Sequence, residues 1–253
     1  MKPSIEHSDN RHGVGAAPVA SNLLDGIDLD AVGRHYWATR RISLPWRRMW
    51  LRVELEGAES VPASGPVILA PNHLSFLDSM VLMYELPRPV TFLGKAEYLA
   101  HPVTRRLFPA AGMIPVDRSG RGVAASLRAA AKRLEAGGIV GLFPEGTRSR
   151  DGLLHDGHLG VAHLALHTGA PIVPVGIIGT DLVQPPDRRL PRRGDVRVRF
   201  GAPIDLGRWA GRGRSAGVKR EITDELMDAI AALSGQARAA GHAVPVERTV
   251  MVS

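Results

Sequence analysis

Pro66-Val67-Ile68-Leu69-Ala70-Pro71-Asn72-His73-Leu74-Ser75-Phe76-Leu77-Asp78 joins an unbroken apolar run to a polar loop rich in chemistry. A run this short, flanked by Gly65 and Pro71, reads as a strand buried on both faces, the kind found inside parallel sheets. A helix is predicted from Ser75, whose hydroxyl is a plausible N-cap. The loop between them lies past the carboxyl end of the strand, where open α/β sheets keep their sites.

The same rhythm recurs along the chain. Strands are predicted at Val53–Glu56, Val90–Leu93, Met113–Val116, Ile139–Phe143 and Ile172–Ile178, with Val196–Phe200 alternating as a strand near a sheet edge. Between them, Ala96–Leu107 is partly helical around Pro102, Val123–Ala136 is a helix closed by Gly137-Gly138, and Gly160–His167 is another. Ile222, Leu226, Ile230 and Leu233 mark a closing helix. Strands alternating with helices give an α/β fold: a mixed, mostly parallel sheet covered by helices. No internal repeat is present. The domain is expected to run over 53–240, with loose tails at 1–22 and 241–253.

The chain has 253 residues, enough for a large core, and 44% of them are apolar, which excludes a disordered chain. Its formal net charge is +7, carried by 28 Arg against 4 Lys. Such a surface attracts phosphates, and arginine contacts them through a planar fork. The absence of cysteine excludes disulfides, thiolate metal sites and a cysteinyl nucleophile. The N-terminal MKPSIEHSDNRHGVGAAP lacks the apolar run of a secretory signal, and no segment has the roughly 18–20 apolar residues of a membrane span. The chain is therefore expected to be soluble or peripheral, on the cytoplasmic side.

Residues 23–52 form an amphipathic segment. Tyr36, Trp37, Trp46, Met49, Trp50 and Leu51 interleave there with arginines. Rings at headgroup depth and guanidinium groups on lipid phosphates suit an anionic bilayer surface, with Trp37, Trp46 and Trp50 as interface anchors. Pro45 is predicted to split the segment into two short helices. The same pattern also fits a helix packed on the domain with its arginines in water.

His73 and Asp78 are five residues apart. On one continuous helix they would point about 140° apart, so they meet only if the chain turns between them. With that turn, Asp78 accepts a hydrogen bond from one imidazole nitrogen and leaves the other as a base. Ser75-x-x-Asp78 is also a variant capping box, which would make Asp78 a helix start and no more.

A second cluster, Gly141 to Gly152, ends a buried strand in Phe143-Pro144-Glu145-Gly146-Thr147-Arg148-Ser149-Arg150. Hydroxyls and guanidiniums beside a tight glycine turn make an anion site by composition, without the GxxxxGK[ST] of a Walker loop. Lys95 follows the Val90–Leu93 strand, and Arg118 follows Met113–Val116. In a parallel sheet these strand ends share one edge with the His73 loop. Any one of these cations also reads as an ordinary surface charge.

Taken together, these segments resemble the glycerolipid acyltransferase family, typified by 1-acylglycerol-3-phosphate acyltransferases. The resemblance rests on Asn72 to Asp78 (NHxSxxD), Gly94-Lys95, Val116-Asp117-Arg118, Phe143 to Ser149 (FPEGTRS) and Pro171 to Val175 (PIVPV), all in order over roughly residues 53–205. It implies direct acyl transfer from acyl-CoA or acyl carrier protein to the hydroxyl of a glycerophospholipid precursor, with no cofactor and no metal. His73 would be the base and Asp78 its orienter. Lys95, Arg118, Gly146, Thr147 and Arg148 would serve the acceptor phosphate, and Glu145 would shape its pocket. One departure stands out: Leu154-His155-Asp156-Gly157-His158 carries histidines where the family often has a basic residue.

Other readings are weaker. His155, His158, His163 and His167 are spaced for zinc but lack a cysteine or glutamate partner, so an exposed helix face is preferred. Ser75 sits in no GxSxG elbow. Gly207 to Arg214 reads as a solvated basic loop. A nucleic-acid-binding module explains the charge but not the ordered strand-end motifs, and five Phe with three Tyr leave few stacking platforms. A lipid-binding protein without catalysis is the other rival.

Overall fold

Successive residues of Val67–Pro71 (β2) point to opposite faces of a sheet, and both faces are buried. Val67 and Leu69 enter one core cluster, Ile68 and Ala70 the other. This is why the run has no polar position. The computed structural model describes residues 29–95, 113–116, 120–185, 188 and 190–239.

Among the described residues, seven strands form one sheet: Leu51–Glu56 (β1), β2, Val90–Lys95 (β3), Met113–Val116 (β4), Ile139–Gly141 (β5), Ile172–Ile178 (β6) and Gly194–Phe200 (β7). Their order is β1-β7-β6-β2-β5-β3-β4. Every pairing is parallel except β6 with β7. The five strands from β6 to β4 thus end on one edge, and β7 with β1 run the other way. The mixed, mostly parallel sheet matches the expectation from sequence. β7 lies one place in from the edge, and β1 caps it with a ladder in which Glu54 and Glu56 meet Arg197 and Arg199. Charges on an edge strand discourage pairing with other chains.

Helices cover both faces. Leu77–Glu85 (α2) packs Leu77, Val81 and Leu82 against Val67 and Val173. On the other face Gly120–Glu135 (α3), Gly160–Thr168 (α4) and Ala216–Ser234 (α6) bury Leu134, Leu164, Ile222 and Ile230 against Ile68 and Ile172. Fully burying each such side chain stabilises the fold by roughly 1.5–3 kcal/mol. The short helix Thr180–Val183 (α5) follows β6 at the site edge. Gly141 ends β5 against the Phe92 ring, where no β-carbon fits.

The amphipathic segment departs from expectation. Leu29–Trp50 (α1) is one helix that runs through Pro45. Contacts on both sides of the proline hold it as a single element on α2. Before it, the buried Tyr36 hydroxyl donates to the Met83 carbonyl, and Arg40 donates to the Leu86 carbonyl at 2.5 Å. After it, Arg47 pairs with Glu85 and lies over the Tyr84 ring. Burial pushes the Tyr36 phenol up to about 12. Tyr36, Arg40, Ser43, Arg47 and Trp50 share one side of α1, and Trp37, Arg41, Ile42, Arg48 and Met49 share the opposite, exposed side. Trp50 packs on the core cluster, so it is not an interface anchor, whereas Trp37 is 45% exposed with Arg40 over its ring. The Trp46 side chain lies outside the described residues, as do the tails at 1–22 and 241–253 and the helix expected at Ala96–Leu107.

The basic run near Gly207 is solvent-exposed as expected, except that one ring anchors it to α6. Trp209 is buried and donates to Glu221 at 2.9 Å, and Arg208 and Arg212 pair with Glu225 and Glu221.

Candidate active site

β2 and β5 are neighbours, and the loops leaving their carboxyl ends are laced together. The chain leaves β2 toward β3 in one direction and returns through β5 to β6 in the other, so these loops flank the switch point of the sheet.

The His73 loop turns as the dyad requires. His73 Nδ1 lies 2.9 Å from Asp78 Oδ2. The same oxygen accepts from the backbone N–H of Leu74 at 2.7 Å and of Ser75 at 2.8 Å. The other oxygen accepts from the Thr180 hydroxyl at 2.5 Å. A carboxylate with these donors has only acceptor sites to offer, so Nδ1 carries a proton, and in the neutral ring the lone pair is then on Nε2. Asp78 is fully buried, while the His73 side chain is 18% exposed and lines a cleft. Its ring stacks on Phe143, 3.8 Å between centroids, which fixes the ring plane.

The helix begins at Leu77, two residues later than expected, and Ser75 does not cap it as a strong acceptor. The Ser75 hydroxyl donates to the Gln184 carbonyl at 2.9 Å and is buried away from the cleft. Asp78 still reaches back to the Ser75 amide, as a capping box would. The dyad and the helix start are therefore one arrangement, not alternatives.

Glu145 ties the two loops. It is buried, and its oxygens accept from the backbone N–H of His73 at 2.9 Å and of His155 at 3.2 Å. Burial pushes its carboxyl above the ordinary range, and the two amide donors pull the other way. Its side chain lines the cleft, but as a clamp on backbone and not as a ligand for an anion, to which it would be repulsive. The Ser149 amide donates to the His73 carbonyl at 2.8 Å, and its hydroxyl donates to Asp151. Ser149 is buried and so does not supply the donor expected of it. Gly146 turns with φ +66° beneath the His158 ring, where a β-carbon would lie 2.9 Å from the ring.

The cleft has a volume of about 660 Å³. Thr147, Arg148, Arg150 and His158 line it together with His73. Neither Arg148 nor Arg150 has a carboxylate partner among the described residues. Phe92, Met113, Val123, Leu127 and Val161 give the cleft an apolar lining. The cleft thus offers cations, a histidine with one free nitrogen, and a greasy surface, which suits a ligand with a phosphate at one end and a hydrocarbon at the other. Lys95 ends β3 on the same edge, but its side chain and the whole of Arg118 lie outside the described residues. Among the described residues no three His, Asp or Glu cluster as metal ligands, and His163 and His167 stack on each other on an exposed face.

The sequence model of the Acyltransferase family matches residues 52–178, from β1 to the end of β6. This chain belongs to that family. A chloroplastic 1-acyl-sn-glycerol-3-phosphate acyltransferase of Brassica napus is 33% identical over 156 residues, covering 60% of this chain and 45% of that protein. The enzyme of that name from Borreliella burgdorferi is 33% identical over 137 residues, covering 53% and 55%. The chain spans about half the length of these curated relatives. The crystal structure of the 1-acyl-sn-glycerophosphate acyltransferase PlsC from Thermotoga maritima shares the fold, with a TM-score of 0.62 and 24% identity over 80% of this chain and 79% of that one.

Thr180 was not foreseen at this site, and Asn72 was quoted only as part of its motif. Thr180 completes the hydrogen bonding of Asp78, and Asn72 locks β2 to β6 by accepting from the Ile177 amide at 2.6 Å and donating to its carbonyl at 2.9 Å. Gly179-Thr180 directly follows the PIVPV strand, so its place at the site edge was a signal that the sequence carried.

Proposed function

We propose that the protein transfers a fatty acyl chain from an acyl thioester, of coenzyme A or acyl carrier protein, to the free hydroxyl of lysophosphatidic acid, giving phosphatidic acid. The observation that carries this reading is the His73–Asp78 pair together with Arg148 and Arg150 in one cleft with an apolar lining. His73 Nε2 takes the proton of the acceptor hydroxyl as its oxygen attacks the thioester carbonyl. Asp78 holds the imidazole and stabilises the imidazolium that forms. As the tetrahedral intermediate collapses, the carbon–sulfur bond breaks and the thiolate takes the proton back from His73, leaving an ester and a free thiol. Arg148, with Thr147 and Arg150 beside it, holds the acceptor phosphate, and Lys95 and Arg118 are proposed to join them from the neighbouring strand ends.

The substrate and product are lipids, which supports action at a membrane surface. No helix among the described residues is long and apolar enough to cross a bilayer. The exposed side of α1, which presents Trp37, Ile42 and Met49 with Arg41 and Arg48, fits an anionic leaflet, and the proposed location is the cytoplasmic face. The names of the relatives, both 1-acyl-sn-glycerol-3-phosphate acyltransferases, support lysophosphatidic acid as the acceptor.

The test is acyl transfer read by mass spectrometry over a panel of glycerol 3-phosphate, lysophosphatidic acid, other lysophospholipids and a glycolipid, with acyl-CoA and acyl carrier protein as donors. Lysophosphatidic acid is expected to be acylated fastest. No ester product from any acceptor would overturn the proposal.

A further inference from the structure

The residues that hold the two catalytic loops together do not all lie within the stretch matched by the family. α6 ends at Ser234, and Gly235 turns the chain with φ +73°. Gln236 then reaches back to the site. Its Oε1 accepts from Asn72 Nδ2 at 2.7 Å, and its Nε2 donates to the Gly152 carbonyl at 2.9 Å. Backbone groups fix both amide orientations: the Ile177 N–H can only donate to Asn72 Oδ1, and the Gly152 carbonyl can only accept. One carboxamide therefore spans the residue before His73 and the loop after Arg148 and Arg150.

The segment that carries it is pinned. Leu154 pairs with residues 237–239 as a short parallel bridge, its N–H donating to the Ala237 carbonyl and its carbonyl accepting from the Ala239 N–H, each at 2.9 Å. Arg238 adds ion pairs to Asp228 on α6 and Asp156 on the loop. Gln236 is not among the residues that line the cleft, and its hydrogen bonds go to groups other than His73.

We propose that Gln236 is a positioning residue that sets the spacing between the His73 loop and the cationic loop. It acts through Asn72 on one side and Gly152 on the other. This inference rests on the acyl-transfer reading for its kinetic readout, but its structural readout does not.

The experiment compares the full chain with Gln236→Met, which keeps length and loses both hydrogen bonds, and Gln236→Glu, which keeps the acceptor for Asn72 and loses the donor to Gly152. Acyl transfer to lysophosphatidic acid is measured with exchange of the Ser149 backbone amide, which bonds the His73 carbonyl. For Gln236→Met, kcat is expected to fall about tenfold and KM for the acceptor to rise severalfold, with faster Ser149 exchange. Gln236→Glu is expected to regain most of kcat and not the KM, a split that a merely structural role would not give. The inference is overturned if both variants keep kcat and KM within about twofold of the parent, or lose them together in proportion to the folded fraction seen by circular dichroism. If the parent chain itself transfers no acyl group, the functional reading fails, and unchanged Ser149 exchange in Gln236→Met would overturn this inference separately.

Discussion

The loops after β2 and β5 are neighbours built on opposite plans. In the first, every polar group near His73 is committed: Asp78 takes four donors, Thr180 and Ser75 spend their hydroxyls, and the ring is stacked on Phe143. In the second, the backbone is tied down through Ser149 and Glu145, but Thr147, Arg148 and Arg150 extend into the cleft and pair with no carboxylate among the described residues. A proton acceptor needs a fixed nitrogen, and its supporting shell supplies one before substrate arrives. An anion cradle needs free charge, which a built-in carboxylate would neutralise.

Substitutions probe this contrast. The largest effect is expected for Asp78→Asn. Asparagine keeps most of the loop's geometry but neither enforces the Nδ1–H tautomer nor stabilises the imidazolium, and turnover should fall by about 10³-fold or more. Arg148→Ala should act on the other loop: KM for a phosphate-bearing acceptor rises by about 10- to 100-fold, as for a lost hydrogen bond between charged groups, with a smaller change in kcat. If Asp78→Asn raised KM and Arg148→Ala lowered only kcat, the division of labour would be reversed. Thr180→Val leaves one Asp78 oxygen without its donor, and kcat should fall by roughly five- to tenfold at unchanged KM.

Glu145 joins the two plans, and its effect should be smallest on rate and clearest in stability. Because burial raises its pKa in the folded state, the native chain holds a proton that the unfolded chain has lost, in the window just above the ordinary glutamate value. Its contribution is fully present below that value and is lost as pH rises through the folded pKa. A plot of melting temperature against pH should slope downward there. Glu145→Gln should flatten that slope while lowering the melting temperature at a pH near the ordinary glutamate value, because an amide cannot accept from both the His73 and His155 N–H groups.

Much of this was readable from residue order. The alternation of strands and helices and the doubly buried β2 follow from apolar periodicity, and the strand ends bring His73 and Arg148 to one edge because the intervening strands are parallel. What the sequence did not reveal depends on contacts far apart in the chain. Pro45 lies inside a helix because Tyr36 and Arg47 anchor it on both sides. Trp50 looks like an interface residue until its packing on the buried core cluster is seen. Glu145 reads as a pocket residue by its motif, and only the folded loops reveal that both its oxygens hold backbone amides. Gln236 sits 164 residues from Asn72, which it bonds, beyond the reach of local pattern.

The central claim is that His73 is the base and the cationic loop is the anchor. The most direct measurement pairs acyl transfer with lysophosphatidic acid binding in His73→Ala. Turnover should fall by about 10³-fold or more while the Kd for lysophosphatidic acid stays within about twofold of the parent chain. Turnover that persists in the variant would contradict the account.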